Sequence, residues 1–363
     1  MGKIDWYILK KFVVTFFFCM LLFTLIAVAV DTSEKTDDFV KTGLSTAQII
    51  RQYYFGFIPW IWGLLFPLFV FIAVIFFTSR MATRSEIIAI LASGASYNRL
   101  LRPYLIGGVL FAVMLWYGNS YLIPKANQIK SNFQSTYFDK DKGSGDQPAC
   151  RNCYYLRIDP NTYIGIKYFD TATKSASSFF MERVKDGKVV YNLRSNSIRW
   201  DTATKKWKLF NVTERTINNM KETVRQFTDT IINMALKPEE LRNDEYLKDK
   251  LSTPELVAYI EREEMRGREG LSSLKVEQYR RTATPATVLL LTLIGVVIAS
   301  RRSRGGSGMH IALGIVIASL FIISDRFSTV FATKSNFPPL LAAWLPNLAF
   351  SIVAFWMYKK TPK

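Results

Sequence analysis

The chain has 363 residues and carries 47 Lys and Arg against 29 Asp and Glu, a net charge of +18, yet 49% of it is hydrophobic and 14% aromatic. Apolar and charged residues are segregated along it, and several uncharged runs reach the ~20 residues that cross a bilayer core. This argues against a soluble enzyme, the aromatic and β-branched content argues against disorder, and three Cys with one His are too few for a usual structural zinc site.

The first predicted element is the uncharged run Phe12–Val30, preceded by Lys3, Lys10 and Lys11. Ala27-Val28-Ala29 imitates a leader cleavage site, but the run outlasts the roughly 7–15 apolar residues of a cleaved leader, so it reads as a retained span. Asp31–Lys41 follows, with Glu34, Lys35, Asp37, Asp38 and Lys41. It is either a lysine contact to an anionic head group or a solvated loop.

A second span is expected over Phe55–Ser79, with Pro59 and Pro67 inside it. The loop after it contains Ser85-Glu86-Ile87-Ile88-Ala89-Ile90-Leu91-Ala92-Ser93-Gly94. Glu86 opens an apolar stretch that Gly94 can end. The resulting helix, near 84–95, is too short to span. Either it docks a cytoplasmic subunit, with Glu86 pairing a partner's base, or it lies at the interface with Glu86 balancing Arg80 or Arg84. The third span is Pro103–Pro124.

Short strands are predicted next, at Tyr154–Ile158, Thr162–Phe169, Ser177–Val184, Val189–Trp200, Trp207–Arg215 and Glu222–Ile232. Asp159-Pro160-Asn161 and Asp186-Gly187 are turn signals. Asp-Thr-Ala-Thr-Lys occurs at 170–174 and again at 201–205, the same turn chemistry used twice. The pattern predicts a sandwich, jelly roll or related all-β unit. Before it, Cys150 and Cys153 flank two residues, a structural disulfide or a redox pair; no thioredoxin-like pattern surrounds them, which favours a structural or unpaired role. After it, Ser252-Thr253-Pro254-Glu255 has capping-box spacing at the start of a helix. The charged stretch 261–269 reads as its solvated end.

Three more spans follow, Thr282–Ser300, Met309 to about Ala332, and Ser335–Tyr358. The fifth contains Asp325 and Arg326. Charges at membrane depth usually face a cavity or a partner, so both are candidates for a substrate path; pairing with another helix or snorkelling outward are the alternatives.

Basic residues in short loops set orientation. Lys3, Lys10 and Lys11, then Arg80, Arg84, Arg99 and Arg102, then Arg301, Arg302 and Arg304, then Lys359, Lys360 and Lys363 all fall on one side. Only Lys35, Lys41, Arg51 and Lys334 oppose them. Both termini are therefore expected in the cytoplasm and the β unit outside it. The parts are 1–124 with three spans, 125–281 with the β unit and linking helix, and 282–363 with three spans. The fold class is an α-helical membrane protein of six transmembrane helices with an extracytoplasmic all-β, jelly-roll-like domain between helices 3 and 4. The positive charge is mostly topological, and no basic stripe interleaved with aromatics points to nucleic acid.

Catalytic chemistry is thin. His310 stands near Ser303 and Ser307 but no acid is close in sequence, so a triad is not expected. No G-x-x-x-x-G-K-[ST] pattern occurs, so ATP-driven work needs a partner.

Taken over its full length, the chain resembles the lipopolysaccharide-export permease family, LptF/LptG. Ser85 to Gly94 resembles the family's cytoplasmic coupling-helix motif. Thr253-Pro254-Glu255-Leu256 with Tyr259-Ile260 resembles the helix before span four, and Tyr279-Arg280-Arg281 leading to Pro285 resembles the entry to that span. Pro338-Pro339 and Ala342-Ala343-Trp344-Leu345-Pro346-Asn347 resemble the last span's signature. The resemblance implies a permease subunit of an ABC-type transporter in the inner membrane of a Gram-negative-type bacterium, with no catalytic residue, metal or cofactor of its own. It implies a second permease, a paralogue or a second copy, with a cytoplasmic ATPase dimer that uses ATP, and a periplasmic β-jelly-roll bridge protein receiving lipopolysaccharide. Glu86, with Ser85, Ile87 and Gly94, would couple to the ATPase. Some members carry a phosphate-contacting lysine at the outer end of span one, and here Glu34 or Lys35 falls there. The rivals from other classes are a membrane enzyme acting on lipid or sugar, which would need convergent acids, His or metal ligands that the sequence does not offer, and a non-transporting membrane scaffold of an envelope complex.

Overall fold

The computed structural model describes residues 2–138, 154–170, 173–218, 221–234, 236–238, 246–267, 270–301, 306–335 and 337–360. Cys150 and Cys153 lie outside the described residues. The helices are α1 (Lys3–Glu34), α2 (Thr36–Lys41), α3 (Thr46–Ile49), α4 (Phe55–Thr83), α5 (Glu86–Ala92), α6 (Tyr97–Tyr117), α7 (Ile123–Phe133), α8 (Leu247–Lys250), α9 (Thr253–Met265), α10 (Ser272–Ala299), α11 (Gly306–Lys334) and α12 (Pro339–Lys359). The strands are β1 (Tyr154–Asp159), β2 (Thr162–Asp170), β3 (Ser175–Lys185), β4 (Lys188–Asp201), β5 (Lys206–Asn218) and β6 (Lys221–Ile232). They divide between two compact units, one of Met1–Lys140, Lys248–Val257 and Ser272–Lys363, the other of Asp141–Leu247 and Ala258–Leu271.

In the helical unit, six helical segments of the described residues are long and apolar enough to cross a membrane: Lys3–Glu34, Thr46–Thr83, Tyr97–Phe138, Ser272–Ala299, Gly308–Lys334 and Pro339–Lys359. They run beyond the uncharged stretches of the sequence, because a helix continues into the interface wherever its backbone bonds remain satisfied. π-helical turns at Ile50–Tyr54 and Gly118–Leu122 carry α3 into α4 and α6 into α7. The last span opens at Pro339 rather than Ser335. Proline at the first helical turn gives up an N–H that would have had no partner there.

α10 is the packing centre, against α4, α6 and α12. Of its most apolar stretch 61% is buried, compared with 11% for α1 and 17% for α11. The core between α1, α4 and α6 is aromatic: Phe12, Phe16, Phe66, Phe77, Tyr104 and Phe111 are buried together. Cys19 is packed in the same cluster, as an apolar thiol in a span should be.

The β unit is one six-stranded antiparallel sheet in simple chain order, β1 to β6. Its six strands match the six predicted runs to within a few residues. One face buries Ile164, Phe179, Leu193, Ile198, Trp207, Leu209 and Val212. The buried parity switches within three strands, from Ile166 to Phe169 in β2, from Ala176 to Phe179 in β3 and from Leu209 to Val212 in β5. The left-handed residues Tyr168, Ser178 and Asn211 sit at those switches. At these positions a strand takes one residue out of the alternation, and because its neighbour does so at the same level the pairing beyond is unshifted and the same face stays inward. The repeated Asp-Thr-Ala-Thr-Lys turns do share their chemistry. Thr173 donates to Asp170 at 2.7 Å and Thr204 to Asp201 at 2.7 Å, and Lys174 and Lys205 close both turns with positive φ. Asp186-Gly187, both with positive φ, makes the β3–β4 hairpin turn.

The capping box also forms: Glu255 accepts from the Ser252 N–H at 2.9 Å and its hydroxyl at 2.6 Å. Those two bonds hold the Glu255 carboxyl below the usual range. The stretch after it corrects the sequence reading. Glu263 is not solvated but 3% exposed, paired with Arg266 at 3.1 Å.

Candidate functional site

Three polar clusters interrupt the apolar surface of the helical unit. The first is α5, on the side to which the loop charges assign the cytoplasm. Ser85 takes φ 58° and turns the chain out of α4; Gly94, at φ +86° with open space around it, ends the helix. Its constraint is therefore backbone, not crowding. Ile87 is 1% exposed against the α1–α4–α6 core, which pins one face of α5 down. Ile88 is 48% exposed on the other. Glu86 accepts from the Tyr7 hydroxyl at 3.2 Å and the Lys11 ammonium at 3.4 Å. The sequence offered Arg80 or Arg84 as its counter-ion. The geometry instead selects Lys11 of α1, because α5 folds back over the start of that helix and both arginines stay exposed.

The second cluster is at the far end of α1. Asp31–Lys41 is not a loop but helical almost throughout, with Phe39 buried beneath it, although most of its other residues are exposed as the solvated reading expected. Asp31 is 7% exposed and binds Lys35 one turn later, at 2.5 Å. Tyr53 donates to the same Asp31 oxygen at 3.2 Å and itself receives a bond from Lys35. Lys35 lies 5.0 Å from the Tyr53 ring centre and 5.7 Å from that of Phe57. Lys130 of α7 sits over Trp60 at 3.1 Å and 5.8 Å from Phe57. Two ammonium groups thus flank one aromatic floor, Lys35 held by Asp31 as well as by the rings and Lys130 resting on Trp60. Lys41, 78% exposed, has only Asp38 at 3.9 Å.

The third cluster joins α10 and α11. Arg280 bonds Asp325 at 3.0 Å. Arg326 is exposed and forms no ion pair among the described residues. Both charges line a crevice with Leu64, Pro67, Leu68, Leu291 and Phe321. His310 is buried at the start of α11 with Nδ1 unpartnered.

Sequence reasoning singled out Glu86, Lys35, Lys41, Asp325 and Arg326 but missed the groups that hold them. Asp31 was findable from its i,i+4 spacing to Lys35. Lys11, Tyr53, Lys130 and Arg280 reach their partners across helices, and no local spacing signals them.

These features define a multi-pass membrane protein: six spans, a β-sheet inserted between the third and fourth, and polar clusters at the span ends. Residues 6–360 match the family described as lipopolysaccharide export system permease LptF/LptG, and the chain belongs to that family. It is thus a transporter subunit of the lipopolysaccharide export system, as the motifs led us to expect. No curated protein matches the chain.

Proposed function

We propose that this chain is one of two permeases that draw lipopolysaccharide from the outer leaflet of the inner membrane and pass it toward a periplasmic β-jelly-roll bridge. An ATPase dimer docked on α5 supplies the force. ATP is bound and hydrolysed by that partner and not by this chain.

The observation that carries the reading is the construction of α5. One face is fixed to the bundle through Ile87, and Glu86 is tied to α1 through Lys11 and Tyr7. The other face leaves Ile88 open where a cytoplasmic subunit would sit. A push on that face passes through Glu86 and Ile87 into α1 and α4 rather than dissipating in a loop. α1 and α11 bury little of their apolar surface within the chain, which suits helices that meet a second permease and open sideways to lipid. Lys35 and Lys41 are the candidates to meet the substrate's phosphates, and Lys35 must leave Asp31 to do so. The β-sheet's apolar inner face suits acyl chains.

The test uses the purified chain with its ATPase and second permease. Ile88→Asp should abolish co-purification of the ATPase while the protein still inserts and melts normally. Glu86→Ala should retain docking but lose most lipopolysaccharide-stimulated ATP hydrolysis. A Glu86→Ala transporter that exports at the wild-type rate sinks the coupling role.

A further inference from the structure

The outer face of the β-sheet, opposite its core, is not uniform. Directly opposed residues of antiparallel strands share a face. The register therefore sets two rows across this one: Tyr155, Gly165, Phe180 and Arg194, then Arg157, Tyr163, Glu182 and Asn192. A sheet face turned to water is ordinarily polar, as it is where Thr213 and Gln226 continue the first row on β5 and β6. On β1 to β3 three aromatic rings gather instead, with Tyr155 59% and Tyr163 41% exposed. An exposed apolar patch rimmed by polar groups marks an interaction site.

Local packing holds the patch in shape. A Cβ on Gly165 would collide with the Phe180 ring, so that ring lies across the glycine. Its centre is 6.1 Å from that of Tyr155. Arg157 stands over the Tyr163 ring at 5.7 Å, and its Nε donates to Pro160 O at 3.0 Å. Glu182 accepts from Asn192 Nδ2 at 2.7 Å. The backbone N–H of Arg157 donates to Arg266 O at 2.9 Å, which sets Arg266 and Gly267 beside β1 as a wall. Leu156 and Ile164, whose side chains belong to the core on the other face, complete the lining.

The depression so formed has a volume of about 530 Å³. That lies within the roughly 300–1,000 Å³ of small-ligand sites. From β1 to β3 it spans about 10 Å, and along the strands about 7 Å, by ordinary strand spacing and rise. This is the footprint of two linked pyranose rings.

Charge selects among occupants. Arg157 and Arg266 are the cations here. Glu182 in the floor and Glu263, 3.1 Å from Arg266, are the anions. They cancel, so a phosphate or carboxylate finds no complementary field. An acyl chain would cover fixed charges and take them from water. A sugar suits both halves of the site. The polarised C–H groups of its flat face meet the negative face of a tyrosine ring. Its hydroxyls bond the Glu182 carboxylate and the arginines, as charge-assisted bonds.

We propose that this depression binds a neutral hexose segment of the saccharide of lipopolysaccharide. Tyr155 and Tyr163 are the stacking platforms, and Glu182 fixes the orientation of the hydroxyls. The source of the sugar rests on the export reading above; the chemistry of the site does not. The sheet then has two roles, acyl chains on its inner face and sugar on its outer one.

The experiment uses the full-length chain with its partner subunits in nanodiscs free of lipopolysaccharide. The oligosaccharide that mild acid releases from lipopolysaccharide is titrated in, and saturation-transfer NMR reads the contact. Transfer should fall on ring C–H groups of neutral hexoses. Tyr155→Ala should weaken binding at least fivefold, and Tyr155→Trp should retain it. Tyr155 is exposed on an edge strand, so both variants should melt as the wild type does. Glu182→Gln, which keeps the shape and loses the charge, should weaken binding at least threefold. The N-acetylglucosamine–N-acetylmuramic acid disaccharide of the cell wall, the other envelope saccharide, carries a carboxylate and should bind at least tenfold more weakly. Absence of transfer overturns the proposal. So does transfer confined to acidic sugars, binding indifferent to Tyr155→Ala, or a cell-wall disaccharide that binds as tightly. Release of lipopolysaccharide is measured separately on discs that contain it. Oligosaccharide binding without release supports the site and fails the export reading; release without oligosaccharide binding does the reverse.

Discussion

Arg281 is 5% exposed, and its guanidinium donates to Leu251 O and Lys248 O, both at 2.8 Å, with Glu277 3.3 Å from Nε. Asn127 and Gln128 of α7 bind the neighbouring carbonyls of Asp249 and Lys250 at 3.0 Å. The segment leading into α9 is thus clasped from two helices. Removing one side of a buried charged network costs about 3–5 kcal/mol. Arg281→Ala should therefore lower the melting temperature in detergent sharply, and Arg281→Lys should recover less than half the loss, because an ammonium lacks the planar fork. Burial, and then the nearby Glu277, push the Asp249 carboxyl above its usual range. The folded state then holds that proton more tightly than the unfolded chain. Its contribution is full below the unfolded value of about 3.9 and is lost as pH rises through the raised folded value. Asp249→Asn should flatten that decline in melts taken from pH 4 to 8, and a variant with the wild-type slope would refute the linkage. Neither residue was legible in the sequence as anything but a charge near a span. The Ser252–Glu255 cap and the Asp201 turn were legible, because their partners lie within three residues.

At the scale of elements, helices and strands were read well where period decided them. The uncharged runs could only be spans, and turn signals such as Asp159-Pro160-Asn161 and Asp186-Gly187 bounded the β runs. The slips in alternation were not read, since each looks like noise until the sheet shows one face kept inward through it. Helix crossings were equally invisible. A Cβ on Gly56 would come within 2.5 Å of Ala126 O and 2.6 Å of Lys130 N, so α4 and α7 touch backbone to backbone there. Backbone cannot swing aside as a side-chain tip can. Gly56→Ala should cost about 1–3 kcal/mol by overpacking and displace Lys130 from Trp60. An unaltered melt would count against the close contact.

For the whole molecule, the basic loops, Arg80 and Arg84 among them, lead us to expect the α5 side in the cytoplasm. A cysteine-free chain with single cysteines tests this directly. Asp186→Cys, at the β3–β4 turn, should react with an impermeant maleimide in cells whose outer membrane alone is opened. Lys359→Cys should react only after lysis. The reverse pattern would invert the docking proposal for α5. The exposed lengths of α1 and α11 leave the apolar surface of the bundle most open on those two helices, which is where the proposal puts the second permease.

The sequence alone determined the number of spans, the inserted β unit, the sidedness expected of the loops and the family. Each rests on composition or period within a window, and local physics is enough to set them. Only the tertiary structure decided which charges face which. Glu86 turned to Lys11 instead of its neighbouring arginines, Asp325 to Arg280, and Lys35 to Asp31 and Tyr53 over an aromatic floor. In a low-dielectric bundle a charge must find its partner wherever packing brings one within reach, and that depends on helix crossings that no single stretch of sequence encodes.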